Sequence, residues 1–494
     1  MPANCAIRSL VILLSSSGIL TPLPRSHSTL LEKFLRLKIV DEAPSKVSRP
    51  ETCKSLQNQS GQRNLDDRPL TDHFIPPISL IYDGFGIFED IRQEVPVPGE
   101  DDIFGAQLWD EVNVFADRMA EFYDSEAERR AVVIHHLQEI FRARKDPHAV
   151  GGDIRASKIG SRQIISDGHS DGAHGTIVFC LECKNELTNI SCEPSAELVS
   201  YIASSFKEQL KGNHRTLFDR WRVPALGMTQ IGEWSLQTSR MYFLTGFSGA
   251  FVQFFGIVMF TPHMRVVHLT PMLPLAIPTD DENSRWNVFL AFKAASVVIA
   301  KLQADTQRLL QDTALLEIPV ESRALPSVTE IKAFPPLTPP SPLRINFKLV
   351  GRYENKIAYR NLYHARLGST NEEIYIKFTQ RYSSELHDFC ARQGLAPKLL
   401  GFERLAGGWF ALAMEKVDIV EPEVIESLSE LGKWKEEIRT LVSGFHKEGL
   451  VHGDLRLANF IFTNDKNPRK MLLVDFDWGG PEGKVFFPRG RAPC

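Results

Sequence analysis

Apolar positions fall into blocks of different period along this chain. Residues 1–75 are polar, with scattered Pro, Ser and Asn, and hold no sustained period. Residues 76–105 mix apolar and acidic residues around Pro and Gly. A disordered or loosely structured N-terminal region over 1–104 is expected. From 108 to 123, Val112, Phe115, Met119 and Phe122 recur at helical spacing. Ser125, followed by Glu126 and Glu128, predicts a capped second helix running to about 144, with Val133, Leu137, Ile140 and Phe141 on one face. The period then shifts towards two. Residues 162–167 and 176–184 read as strands, with 169–175 as the turn between them. Residues 195–211 and 284–313 return to helical spacing, with more strands in 222–273. An α/β domain over 105–317 follows.

Residues 334–342 read Phe-Pro-Pro-Leu-Thr-Pro-Pro-Ser-Pro, which continues neither a helix nor a central strand. A linker is placed at 318–342. Beyond it the order is strands at 347–351, 358–366 and 373–378, a helix at 383–393, strands at 397–402 and 409–416, and a helix at 427–448. The fold class expected for the whole is α+β or α/β in two domains, the second over 343–494.

Two uncharged stretches bear on membranes. Residues 8–23 resemble a weak signal peptide broken by Ser and Gly. Residues 241–260 are long enough to span a bilayer, but their Gly, Ser, Thr and Gln favour two buried strands. No membrane partner is expected. The net charge of −4 gives no global case for nucleic-acid binding. Seven scattered Cys do not form a disulfide pattern, which favours an intracellular location, cytoplasmic or nuclear, over secretion.

The densest chemistry lies in 446–480. His452-Gly453-Asp454 is followed five residues after Asp454 by Asn459, then an apolar run, a polar turn, a second apolar run, and Asp475-Phe476-Asp477. A tight loop feeding a β-hairpin brings Asp454, Asn459 and Asp475 to one end. Phosphoryl transfer uses that set: a carboxylate facing the acceptor hydroxyl, and an amide and a carboxylate as hard oxygen ligands for Mg²⁺.

This H-x-D-x-x-x-x-N…D-F-D pattern resembles the catalytic and metal loops of the protein-kinase superfamily. The similarity covers 345–490 and extends to fungal proteins with a kinase-like C-terminal domain, some related to Crinkler-type effectors. The resemblance implies roles. Asp454 would be the base, with Asn459 and Asp475 on Mg²⁺. Lys377, closing the strand Ile374-Tyr375-Ile376-Lys377, would hold the ATP phosphates, and Glu385 in the next helix would pair with it. Met414 and Glu415 would form the hinge against adenine. The cofactors would be ATP and Mg²⁺, and the acceptor a protein or small-molecule hydroxyl. The sequence departs from the pattern in places. Gly351 stands alone where three glycines are usual, Gly453 replaces Arg, and Asp477 replaces the last Gly of D-F-G. The chain closes nineteen residues after Asp475. A truncated second lobe is therefore expected, with Leu431, Trp434, Ile438 and Leu441 left on an uncovered helix face. A catalytically impaired pseudokinase module is the non-enzyme alternative.

In the middle domain, Asp167 closes one expected strand and Glu182-Cys183-Lys184 the next. This is similar to the D…ExK pattern of PD-(D/E)xK nucleases, though Ser166 stands where that motif has Pro. Glu182 and Lys184, two apart on a strand, share a face. Asp167 and Glu182 would hold Mg²⁺, and Lys184 would act on the water or the scissile phosphate. Nucleic acid is a partner only if that site is active.

Overall fold

The computed structural model describes residues 35–37, 42–59, 76–97, 106–142, 153–159, 164–184, 193–211, 222–232, 250–260, 263–311, 325–334, 344–353, 361–419, 428–464 and 470–485. The protein is a mixed α and β fold, and the chain divides into two compact units at Pro326/Ser327. That boundary falls inside the expected linker.

The unit preceding the boundary is built on one sheet. Its strands are β1 (Gly168–Asp171), β2 (Ile177–Lys184), β3 (Pro224–Ile231), β4 (Phe251–Phe260) and β5 (His263–His268), hydrogen-bonded in that order. Only the β2–β3 pair is parallel. A parallel pair needs a crossover, and α4 (Pro194–Lys211) provides it. One face of the sheet packs against α4 through Val199, Ile202 and Phe206. The other buries Phe179, Leu181 and Met228 against the helices α1 (Asp83–Arg92), α2 (Ala106–Met119), α3 (Glu126–Arg142) and α5 (Glu282–Gln311).

Three expectations for this unit change. The region 1–104 is not wholly loose: short helices occur at Pro44–Val47 and Pro50–Gln57, and α1 buries Phe85, Phe88 and Ile91 in the main core. The Gly residues at 84 and 86 had hidden its helical stripe. Residues 169–171 are strand, not turn, and Asp167 precedes that strand. Helix α2 stops at Met119, leaving Phe122 77% exposed rather than packed. Of the apolar stretch 241–260, residues 241–249 lie outside the described residues and the remainder is β4, in the interior of the sheet. The expected signal-like stretch also lies outside them. Helix α5 has the length and composition to cross a membrane, but 56% of its apolar window is buried within the fold.

The second unit opens on β6 (Glu330–Lys332), a strand inside the stretch assigned to the linker. It pairs with β7 (Arg344–Arg352). The sheet continues with β8 (Asn361–Leu367), β9 (Glu373–Thr379), β10 (Leu399–Arg404) and β11 (Phe410–Glu415), in the spatial order β10-β11-β9-β8-β7-β6, all antiparallel. Ser383 caps α6 (Ser384–Arg392), its Oγ accepting from Leu386 N at 3.2 Å. Helix α7 (Leu428–Lys447) then leads to the hairpin β12 (Phe460–Phe462) and β13 (Met471–Leu473). The apolar face of α7 is covered. Trp434 and Leu441 are each 4% exposed, packed with Phe445 and Phe462. The hairpin supplies the apolar surface that the expectation of an uncovered face had overlooked. The Leu431 side chain lies outside the described residues.

Candidate functional sites

Lys377 sits on β9, whose neighbours β8 and β11 carry the ladder on both sides. Its side chain is 9% exposed. An ammonium buried this deeply needs paired charge, and it has two partners. Its Nζ lies 2.8 Å from Asp475 Oδ1 and 2.5 Å from Asp477 Oδ1. Burial works against the charged amine, but the two carboxylates outweigh it and hold the lysine above its ordinary value.

The D-F-D turn is shaped for this. Asp475 adopts the left-handed conformation at φ 69°, which Asp tolerates better than most residues. Phe476 is buried and stacks on His387 of α6 at 4.6 Å and 12°. Ser383 N donates to Phe476 O at 3.1 Å, joining the cap of α6 to the same turn.

On the loop before β12, Asn459 is fully buried. Its Nδ2 donates to Asp454 O at 2.8 Å and to Asp454 Oδ2 at 3.1 Å. Arg456 Nη2 reaches the same carboxylate oxygen at 3.0 Å. Asn459 Oδ1 is buried without a hydrogen-bond partner among the described residues. Buried polar atoms are rarely left so, and a hard cation is a natural partner for an amide oxygen. Gly453 (φ +72°) has a fixed reason to be Gly, because a Cβ there would collide with the Trp478 carbonyl oxygen. Nothing in the sequence marked that close approach.

Two assignments shift. Glu385 is exposed in the first turn of α6, and Lys377 pairs with Asp475 and Asp477 instead. Its eight-residue distance from Lys377 places it on the outward side of a short helix. Met414 and Glu415 are strand residues of β11, not a free connection. Glu415 N donates to Lys398 O at 3.1 Å, and Glu415 Oε1 accepts from Lys398 N at 2.7 Å. The connection after the strand is Lys416–Asp418, which borders an open cavity of about 970 Å³ also lined by Asp388, Arg392 and Lys470. Arg456 was not singled out from sequence, and Asp477 was noted only as a departure, not as a partner of Lys377. Arg456 lies in the H-x-D-x-x-x-x-N loop, and Asp477 in the departure from D-F-G; each was a signal in plain view.

A second cluster lies in the other unit, at the end of β2. Glu182 is 1% exposed, and Lys184 Nζ contacts both Glu182 Oε1 and, at 2.9 Å, Glu197 Oε2 of α4. Asp167 accepts from Arg130 Nη1 of α3 at 2.9 Å and from Cys183 N at 2.8 Å. Burial, a hydrogen bond with Glu197 and the nearby Asp167 charge push the Glu182 carboxyl well above the ordinary range. Two carboxylates this close cannot both ionise without a cation beside them. Tyr201, one turn after Glu197, is buried, and burial beside Glu182 and Glu197 raises its phenol. Asp167, Glu182 and Lys184 thus meet as the spacing implied, although Asp167 stands ahead of its strand. Glu197 lies on the helix that follows the second strand, and Arg130 is an addition, placed by a helix whose packing the local pattern does not reveal. Cys180 and Cys183 fall into different cores on opposite faces of the sheet, so they share no ligand.

No family model and no curated protein matches this chain. Among solved structures, part of it is similar to the kinase PK-1 of Cydia pomonella granulovirus. The identity is 17% and the TM-score 0.24, over 28% of this chain and 55% of that one. The match therefore spans about half of that kinase.

Proposed function

We propose that the unit from Ser327 onward binds Mg-ATP and acts as a phosphotransferase on a hydroxyl of a protein or small molecule. The observation that carries this is the pairing of buried Lys377 with Asp475, together with Asn459 Oδ1, which lies beside Asp454 with no hydrogen-bond partner among the described residues. The donor set suits Mg²⁺: Asn459 Oδ1 and the Asp475 carboxylate are hard oxygens, and Asn459 has an unmet need. The bound ion would neutralise charge on the phosphate oxygens. On ATP binding, Lys377 would reach the phosphates as Asp475 turns to the ion. Asp454, oriented by Asn459 Nδ2, would accept the proton of the acceptor hydroxyl at its carboxylate. Arg456, already on that carboxylate, would steady charge on the transferred group. Lys416–Asp418 would face the adenine.

Thermal shift of the full chain with ATP, with and without Mg²⁺, tests this. Ligand at a hundred times its Kd stabilises the folded form by about 2.7 kcal/mol. Lys377→Ala should abolish the shift. A folded protein unmoved by millimolar ATP would refute the proposal. Nucleotide binding without Asp454-dependent transfer would instead mark the pseudokinase alternative.

A second reading has its own support. Asp167, Glu182 and Lys184, with Glu197 across a parallel crossover, form a buried acidic site with a lysine, as metal-dependent cleavage of nucleic acid requires. The donors suit Mg²⁺ as well, since Glu182 Oε2 is buried without a partner among the described residues. Incubation with plasmid DNA and Mg²⁺ or Mn²⁺ should give nicking that Glu182→Gln removes. Equal cleavage by the variant would assign it to a contaminant.

A further inference from the structure

In the D-F-D motif the second aspartate stands where a glycine is usual, and the helix glutamate expected to anchor Lys377 is exposed. Those two facts belong together. Building on the Mg-ATP reading, we infer that Asp477 is the positioning residue for Lys377: it holds the ammonium in place when Asp475 is engaged elsewhere, and Glu385 takes no part.

The geometry supports this in three ways. Lys377 Nζ lies between Asp475 Oδ1 at 2.8 Å and Asp477 Oδ1 at 2.5 Å, so neither carboxylate alone defines its position. Next, Asp475 is asked to do two things. If it moves onto a cation with Asn459, a lysine with no other partner would be left buried and unpaired, a state that costs several kcal/mol. Asp477 removes that penalty, since it stays with the lysine. Finally, Asp477 cannot drift. It follows Phe476, which is stacked on His387 and bonded through its carbonyl to both Ser383 N and Gly479 N at 3.1 Å. In this arrangement α6 positions Lys377 indirectly, by gripping Phe476, rather than through a carboxylate of its own. A glycine at 477 would free the turn and leave the lysine dependent on Asp475.

The groups facing Lys377 are Asp475, Asp477 and the Tyr382 ring, 5.7 Å from Nζ, with His387 nearby. The experiment reads the lysine itself, without nucleotide. The full chain is treated at pH 8 with an amine-acylating reagent, and modification of Lys377 is followed by mass spectrometry. Only the free amine reacts. Without Asp477 the ammonium loses one of the two carboxylates that hold and cover it, so Asp477→Asn should speed labelling at least about tenfold. Asp477→Glu should largely restore the slow rate, and Glu385→Gln should match the unmodified protein. Labelling unchanged in Asp477→Asn, or accelerated in Glu385→Gln, would overturn the assignment. Should Asp477→Asn fail to fold, Asp477→Ser is read in its place with the same expectation. Protection of Lys377 by Mg-ATP is a separate arm. Its absence would count against the nucleotide site while leaving the ion-pair result intact.

Discussion

His387 shows how one residue sets a pH limit on the second unit. It is fully buried, Tyr382 Oη lies 2.6 Å from Nδ1, and Nε2 lies 2.7 Å from Pro397 O. A neutral ring satisfies both: Nε2–H donates to the carbonyl and Nδ1 accepts from the phenol. Burial drops the imidazole to about 4. The unfolded chain takes up its proton near 6.5, so the folded form has its full stability above that pH. Stability falls as pH drops from about 6.5 to about 4, by up to roughly 3 kcal/mol in total. Buried His452 is shifted the same way and adds to the effect. Protection of the α6 amides from hydrogen exchange, taken relative to the intrinsic rate at each pH, should fall steeply from pH 7 to 4.5. In His387→Gln the baseline should be lower and the slope shallower. An unchanged slope would mean that another group titrates there.

At the scale of elements, α6 links the sheet to the D-F-D turn, and its cap should matter to both. Ser383→Ala removes the bond to Leu386 N, at a cost of about 1 kcal/mol. Exchange in α6 should rise, and ATP should bind more weakly even though Ser383 is not placed against ligand. A loss of stability with ATP affinity unchanged would uncouple the helix from the site. Trp434→Ala on α7 tests the packing beneath the hairpin, where Trp434 lies 4.3 Å from Phe462 between ring centres. A loss of about 3–5 kcal/mol is expected, as for other buried aromatics. A cost below 1 kcal/mol would show that α7 does not seal that face.

These elements also show what the chain's pattern could convey. Helices α3, α4, α5 and α6 and strands β2 and β9 followed from period and capping alone. Lys377, Asp454, Asn459 and Asp475 followed from fixed spacing within short stretches. What stayed hidden needed contacts between distant segments. Strand β6 was masked by flanking prolines because β7, its ladder partner, lies beyond them. Helix α1 was masked by two glycines. Glu385 was assigned to Lys377 by order, whereas the turn a hundred residues on supplied the charge. Glu197 was visible on its helix but gained meaning only when the crossover brought it to Lys184.

At the scale of the molecule, each unit has its own core and its own cluster of buried charge. Changes in one should leave the other intact. Lys184→Ala should abolish any nicking and leave the response to ATP unchanged. Coupled losses would mean that the units act as one. On the proposed function, Lys377, Asp475 and Asn459 hold Mg-ATP. Calorimetric titration of the full chain with ATP, in Mg²⁺ and in EDTA, tests it most directly. Saturable binding is expected that tightens with Mg²⁺, loses that tightening in Asn459→Ala, and is lost with Lys377→Met. Binding indifferent to Mg²⁺ and to both substitutions, or no binding by the folded chain, would contradict it.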